Sequence, residues 1–143
     1  LIRRDIGDKQ GEGATLNNLS QIYDARGDTD TALRYLEQSL LIRRDLGDKA
    51  GMSITLHNMA SIAWRADDEE RAFTLWSEAL SLALETRNAQ GIFHVAGALG
   101  RRLAQARNNE QAAQLITLAI DAGKQAGFPG VEELEEELRR LQG

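Results

Sequence analysis

The sequence predicts an all-α fold, a solenoid of antiparallel helix hairpins in which each hairpin packs on the next. Three observations carry this. Apolar residues recur at helical spacing along almost the whole chain. The stretch LIRRDIGDKQG at 1–11 returns as LIRRDLGDKAG at 41–51, with eight of the first ten positions identical. A single proline, Pro129, interrupts 143 residues, so long helices are permitted. A repeat period between about 20 and 50 residues marks an architecture whose units bury their apolar faces against neighbours.

Sliding the chain by 40 positions aligns Gly11 with Gly51, Thr15 with Thr55, Leu16 with Leu56 and Asn18 with Asn58. Ile22 falls on Ile62, and Leu19 falls on Met59 and then Leu99. Ala32 falls on Ala72 and Ala112, and Leu40 on Leu80 and Ile120. Each unit reads as two helices. The first runs near 10–26, 50–66 and 90–107, with Leu16, Leu19, Ile22 and Tyr23 as its apolar stripe in unit one. The second runs near 29–46, 69–86 and 109–126, with Ala32, Leu33, Leu36 and Leu40 in the same role. Gly27 suits a left-handed helix end, and Asp28, Asp68 and Asn108 suit the cap of the next helix. Gly7 and Gly47 are expected to stop a unit, and Asp8 and Asp48 to cap the following helix.

Small residues recur where helices must approach closely: Ala32, Ala72 and Ala112, then Ser39, Ala79 and Ala119 seven positions on. Leu36, Trp76 and Ile116 lie four residues after each alanine, and alternation of small and large lets facing helices interdigitate. GFPG at 127–130 then breaks the chain. VEELEEELRRLQ places Val131, Leu134, Leu138 and Leu141 on one stripe, as a capping helix with a polar outer face would. The division is therefore residues 1–8 as the end of a truncated repeat, repeats at 9–48, 49–88 and 89–128, and a cap at 129–143. Leu1–Ile6 match Leu41–Leu46, the end of a second helix, so an apolar edge is expected there. It would pack on an upstream repeat of a longer parent or on another copy, a route to self-association.

The chain holds no cysteine, which rules out disulfides and thiolate metal sites. Net charge is −5 with both signs interspersed, and the absence of a basic stripe argues against a nucleic-acid partner. No apolar run reaches the roughly 20 residues of a membrane span. GDKQGEG at 7–13 lacks the Lys-Ser/Thr pair of a phosphate loop and reads as an inter-repeat turn. The serines sit in helical patterns without a nucleophile elbow. The two histidines, His57 and His94, lie in first helices of adjacent units and are too few for a metal site. DDEE at 67–70 lacks the ligand order of a calcium loop. Trp76 takes a core position. Trp64 reads either as an exposed anchor or as packed on an adjacent helix. Neither catalytic residues, nor a metal, nor a cofactor is expected.

The pattern Leu16, Leu19, Ser20, Tyr23, Gly27, Ala32, Leu36, Ser39 resembles the tetratricopeptide repeat. Unit two offers Leu56, Met59, Ala60, Ala63, Asp67, Ala72, Trp76 and Ala79, and unit three Ala96, Leu99, Gly100, Leu103, Arg107, Ala112, Ile116 and Ala119. The standard unit is about 34 residues, so these resemble the extended repeats of kinesin-light-chain and bacterial signalling proteins. Ala63 departs from the aromatic at Tyr23, and units one and two lack a closing proline. The resemblance implies a right-handed superhelix whose first helices line a concave wall that holds a peptide or partner domain. Carried over, the wall residues are Asn17, Asn18 and Gln21, then His57, Asn58, Ser61, Trp64 and Arg65, then His94 and Arg101, with Gly97 and Ala98 leaving space. Asparagine suits this role because its amide both donates and accepts, and arginine because it holds carboxylates bidentately. For Asn18 and Asn58 a structural bond between helices is the alternative. The expected function is a non-catalytic, cytoplasmic protein-interaction scaffold. The alternative is a sensory or structural stretch of a longer bacterial array working by self-association or strain.

Overall fold

The computed structural model describes residues 2–143, with side chains from Asp8 onward. Among these residues seven helices follow one another: α1 (Ile2–Ala25), α2 (Thr29–Asp45), α3 (Lys49–Arg65), α4 (Glu69–Glu85), α5 (Ala89–Gln105), α6 (Asn109–Ala126) and α7 (Val131–Gln142). Among the described residues there is no strand. The chain forms two compact units, Leu1–Glu78 and Ala79–Gly143, and the boundary falls within α4.

What sets the helix lengths is a turn repeated every twenty residues. Gly27, Gly47 and Gly127 adopt φ of 84, 69 and 71°, and Asp67, Arg87 and Arg107 adopt 63, 53 and 64°. Each is a left-handed residue just past a helix end. In each case the next residue's N–H reaches back five positions to a carbonyl: Asp28 to Tyr23 (2.9 Å), Asp48 to Arg43 (2.8 Å), Asp68 to Ala63 (2.9 Å), Asn88 to Ala83 (3.0 Å), Asn108 to Leu103 (2.9 Å) and Phe128 to Gly123 (2.9 Å). This is the Schellman closure, which satisfies carbonyls the helix end would leave orphaned.

The residue after the left-handed one then starts the next helix. Asp28 accepts from the Thr31 N–H (3.3 Å), Asp48 from Gly51 (2.9 Å), Asp68 from Arg71 (3.2 Å) and Asn88 from Gly91 (3.3 Å). Asn108 differs from expectation. It holds the N-cap position of α6, but its amide donates to Gln111 Oε1 (2.8 Å) and accepts no backbone N–H. Gly7 and Asp8 also differ, because α1 runs through both, so Gly7 stops no helix and Asp8 starts none. At Asp48 the turn is held by Gly47 and by Arg43, whose Nη1 lies 3.1 Å from Asp48 Oδ2. The counterpart of Arg43, and the expected apolar edge at Leu1–Ile6 that ends a truncated repeat, fall among residues 1–7, whose side chains lie outside the described residues.

In the first unit α1 packs on α2 and α2 on α3. Ala32, Leu36, Met59 and Ile62 form the buried centre, flanked by Tyr23, Leu33, Leu40 and Leu75. In the second unit α5 packs on α6 and α6 on α7 around Ala96, Ile116, Ala119, Ile120 and Leu134. The small positions predicted from the repeat, Ala32, Ala72, Ala112, Ser39, Ala79 and Ala119, are each 0% exposed. The large ones, Leu36, Trp76 and Ile116, are at most 1% exposed.

Two glycines mark close approaches in the second unit. A Cβ on Gly100 would stand 2.8 Å from Ile116 Cγ1 and 3.3 Å from the Ala112 carbonyl, so only glycine lets α5 lie this near α6. A Cβ on Gly123 would stand 2.7 Å from Val131 Cγ2 and 2.8 Å from the Phe93 ring.

Arginine bears the left-handed conformation at a cost of roughly 1–2 kcal/mol, which exceeds the ~0.4–1 kcal/mol that glycine loses through its freer unfolded chain. Arg87→Gly is therefore expected to raise the unfolding free energy by about 0.5–1 kcal/mol, and Gly27→Ala to lower it by about 1 kcal/mol. Urea denaturation of the two variants measures both.

Candidate functional site

The residues singled out in the sequence part into two groups once folded. Some are spent on the protein's own packing. Asn17 on α1 is 7% exposed, and its Oδ1 accepts from Thr55 Oγ1 on α3 at 3.3 Å. That single hydroxyl hydrogen is shared with the Gly51 carbonyl at 3.0 Å. The inter-helix amide bond expected of Asn18 and Asn58 is thus made one position earlier, by Asn17. His57 Nδ1 accepts from the indole N–H of buried Trp76 at 3.0 Å. Trp64 lies edge-on to Phe73 with centroids 5.7 Å apart and 6.2 Å from Trp76, so it packs on α4.

The second group lines a recess of about 160 Å³ between α1 and α3, bordered by Ser20, Gln21, Asp24, Leu36, Asn58, Ser61, Ile62 and Arg65. Leu36 and Ile62 give it an apolar floor, and the other six give it a polar rim. Helical spacing explains the set: Gln21 and Asp24 are neighbours on α1, and Asn58, Ser61 and Arg65 run down one stripe of α3. Gln21 and neighbouring Asn18 are exposed, and Asn58 is half-buried. Among the described residues these three amides take no hydrogen bond. Ser61 Oγ donates to the His57 carbonyl at 3.1 Å. Arg65 Nε donates to the Ser61 carbonyl at 3.3 Å, and Arg65 Nη2 lies 2.7 Å from Asp24 Oδ2. Sequence reasoning missed Asp24. An acid one turn beyond Gln21, opposite an arginine 41 residues on, is the signal that would have found it.

In the second unit the wall of α5 is covered rather than open. Leu134 of α7 stands 3.9 Å from where a Gly97 Cβ would be, so Gly97 leaves no free space, contrary to expectation. Arg101 Nε meets both oxygens of Glu137 on α7, at 3.1 and 3.0 Å. The sequence places Glu137 on the polar outer face of the cap, yet it turns toward α5. His94 is exposed and stacks on Phe128, with centroids 6.4 Å apart and planes at 27°. His57 belongs to the first unit and His94 to the second. Among the described residues no three acidic or histidine side chains converge as a metal site would need. Among them, too, no helix is long and apolar enough to cross a membrane.

The tetratricopeptide repeat family matches residues 15–50. The match covers one repeat, 36 of the 143 residues. The fold of the chain resembles the crystal structure of the Podosopora anserina putative kinesin light chain with nearly identical TPR-like repeats, at a TM-score of 0.71 and 16% identity over 90% of this chain. A point variant of that protein gives a TM-score of 0.72, also at 16% identity and 90% coverage. BtubC (BKLC) from P. vanneervenii gives a TM-score of 0.62 at 19% identity over 91% of this chain. The chain spans 64% of the length of the first two structures and 63% of the third. No curated protein matches the chain. Tetratricopeptide repeats as a family are generally non-catalytic protein-interaction scaffolds.

The buried and exposed polar contacts should separate in stability. Asn17→Ala is expected to cost about 1 kcal/mol, because it removes a buried inter-helix bond. The Arg65 side chain is 56% exposed, so Asp24→Asn, which removes its ion pair, should cost less than about 1 kcal/mol. Thermal unfolding of each variant checks the difference.

Proposed function

We propose that the chain is a non-catalytic interaction scaffold, working in the cytoplasm, that holds an extended segment of a partner protein along the α1–α3 face of its first unit. The observation that carries this is a pair of amides, Gln21 and Asn58, left without hydrogen bonds among the described residues on the rim of a recess with an apolar floor, with Asn18 exposed beside Gln21 on α1. An amide that both donates and accepts matches the main chain of an extended peptide. Leu36 and Ile62 would receive one aliphatic side chain of the partner. Arg65, steadied by Asp24 and by the Ser61 carbonyl, keeps further N–H groups for a carbonyl or carboxylate at the rim. The walls are helices fixed by packing, so little reordering accompanies binding.

Pull-down with the chain as bait, followed by calorimetry on the partner recovered, is the test. Asn58→Ala combined with Arg65→Ala should weaken that partner about tenfold or more while leaving helicity intact. Unchanged affinity, or loss of helicity, counts against the groove.

A second reading, self-association, draws on α1. Ile22 is 47% exposed while its repeat counterpart Ile62 is 4% exposed. A Cβ at Gly11 would meet nothing within 4 Å, whereas one at Gly51 would collide with Arg43. The face that α2 covers on α3 is thus bare on α1 among the described residues. Light scattering across concentrations should show a dimer that Ile22→Glu abolishes; a monomer throughout rejects this reading.

A further inference from the structure

One strip of α1 is bare where the matching strip of α3 is covered. Gly11 and Thr15 are exposed, Leu19 is half-buried and Ile22 is 47% exposed. Their repeat counterparts on α3, Gly51, Thr55, Met59 and Ile62, are all buried. At about 100° per residue the four α1 positions fall on one narrow strip, and Asp8 and Arg26 extend it at its two ends. In chain order the strip runs acidic, small, small, large, large, basic.

Inside the first unit the same face of α3 is matched by size. Arg43 of α2 stands where a Cβ on Gly51 would collide, and Ala32 packs in one cluster with Ile62. Large meets small at both ends because α2 runs opposite to α3. On α1 the two terminal charges are unspent: Asp8 and Arg26 are exposed, and neither joins an ion pair among the described residues. The Arg26 guanidinium carbon lies 5.8 Å from the Tyr23 ring, a contact that holds the side chain beside the strip. Neighbouring Lys9 and Glu12 pair with each other at 3.5 Å and add no net charge.

We propose that a second copy of this chain covers the strip, α1 against α1 in an antiparallel two-fold contact whose axis is level with residue 17. In that register Gly11 of each copy receives Ile22 of the other, Thr15 meets Leu19, and Asp8 meets Arg26. A two-fold interface must be complementary to itself, and a strip graded from small to large and from acid to base is so when reversed. A parallel pair sets acid on acid and bulk on bulk. Head-to-tail stacking on α7 sets the strip against exposed Glu132, Glu133 and Glu136. So short a strip covers less than the roughly 800 Å² per partner of a standard interface, so the dimer is weak and concentration-dependent. The inference rests on the self-association reading and adds which helices meet, in which direction and by which pairs.

The test follows the mass of the full chain by light scattering up to millimolar concentration. Asp8→Arg and Arg26→Asp, each confirmed helical by circular dichroism, should each weaken the dimer about tenfold, since two ion pairs per dimer become repulsions. The double variant carrying both changes restores opposite charges and should return to within about threefold of the parent. The chain has no cysteine of its own, and a Cβ at Gly11 meets nothing within 4 Å. An equal mixture of Gly11→Cys and Ile22→Cys chains should therefore cross-link through a short bismaleimide, and either variant alone should give several-fold less product. Monomer throughout overturns the proposal together with the self-association reading. A dimer that tolerates the single charge reversals, is not restored by the double variant, or cross-links Gly11→Cys chains to one another as readily overturns the antiparallel contact and leaves self-association standing.

Discussion

The left-handed residue that closes a helix every twenty positions is the constraint on which the rest depends. It fixes helices α2 to α5 at seventeen residues each, so that an apolar stripe starting at one cap ends in register with the next. Were one turn a residue longer, every contact beyond it would rotate by about 100° around its helix. Glycine fills three of these six positions, and Asp67, Arg87 and Arg107 fill the others in spite of their side chains. The Schellman bond and the following cap together satisfy several otherwise orphaned backbone groups. That outweighs a local penalty of about 1–2 kcal/mol.

On that frame, side-chain size is traded across each helix contact. Gly13 makes room for Arg43, whose Nε lies where a Cβ at Gly13 would come within 3.4 Å, and Arg43 in turn donates to Ser39 Oγ at 3.3 Å. Ser39 Oγ donates to the Gly13 carbonyl at 2.9 Å, so a polar thread ties α1 to α2 inside the first unit. The corresponding place in the second unit is apolar: Phe93 stands at the register of Gly13, and Gly123 at that of Arg43. Bulk has moved from one helix to its neighbour while the sum is kept, as close packing demands.

Polar residues on the first helices follow from the same geometry. Adjacent positions on a helix point about 100° apart. Asn17 therefore turns into the α1–α3 contact while Asn18 faces solvent. Their repeat counterparts divide likewise: His57 is held by Trp76, and Asn58 is left to the recess. Stacking consumes one of each such pair and leaves the other facing the α1–α3 recess or solvent.

From the sequence alone came helices α2 to α7, the hairpins, the turn at Gly27, the caps at Asp28, Asp48 and Asp68, and the core positions Ala32, Leu36, Trp76 and Ile116; the unbroken run of α1 through Gly7 and Asp8 did not. These depend on interactions within a few residues or on a period that repeats, and both are written along the chain. Part of the candidate wall, Gln21, Asn58, Ser61 and Arg65, was legible for the same reason. Tertiary structure alone decided that Asp24 belongs beside Arg65, that Trp64 packs on Phe73, that Asn17 rather than Asn18 bonds across helices, and that Glu137 turns inward to Arg101. Those pairings join residues up to 41 positions apart, out of step with the 40-residue repeat. They are fixed by how far one packed helix is rotated against the next, a quantity that no periodicity along a single chain records.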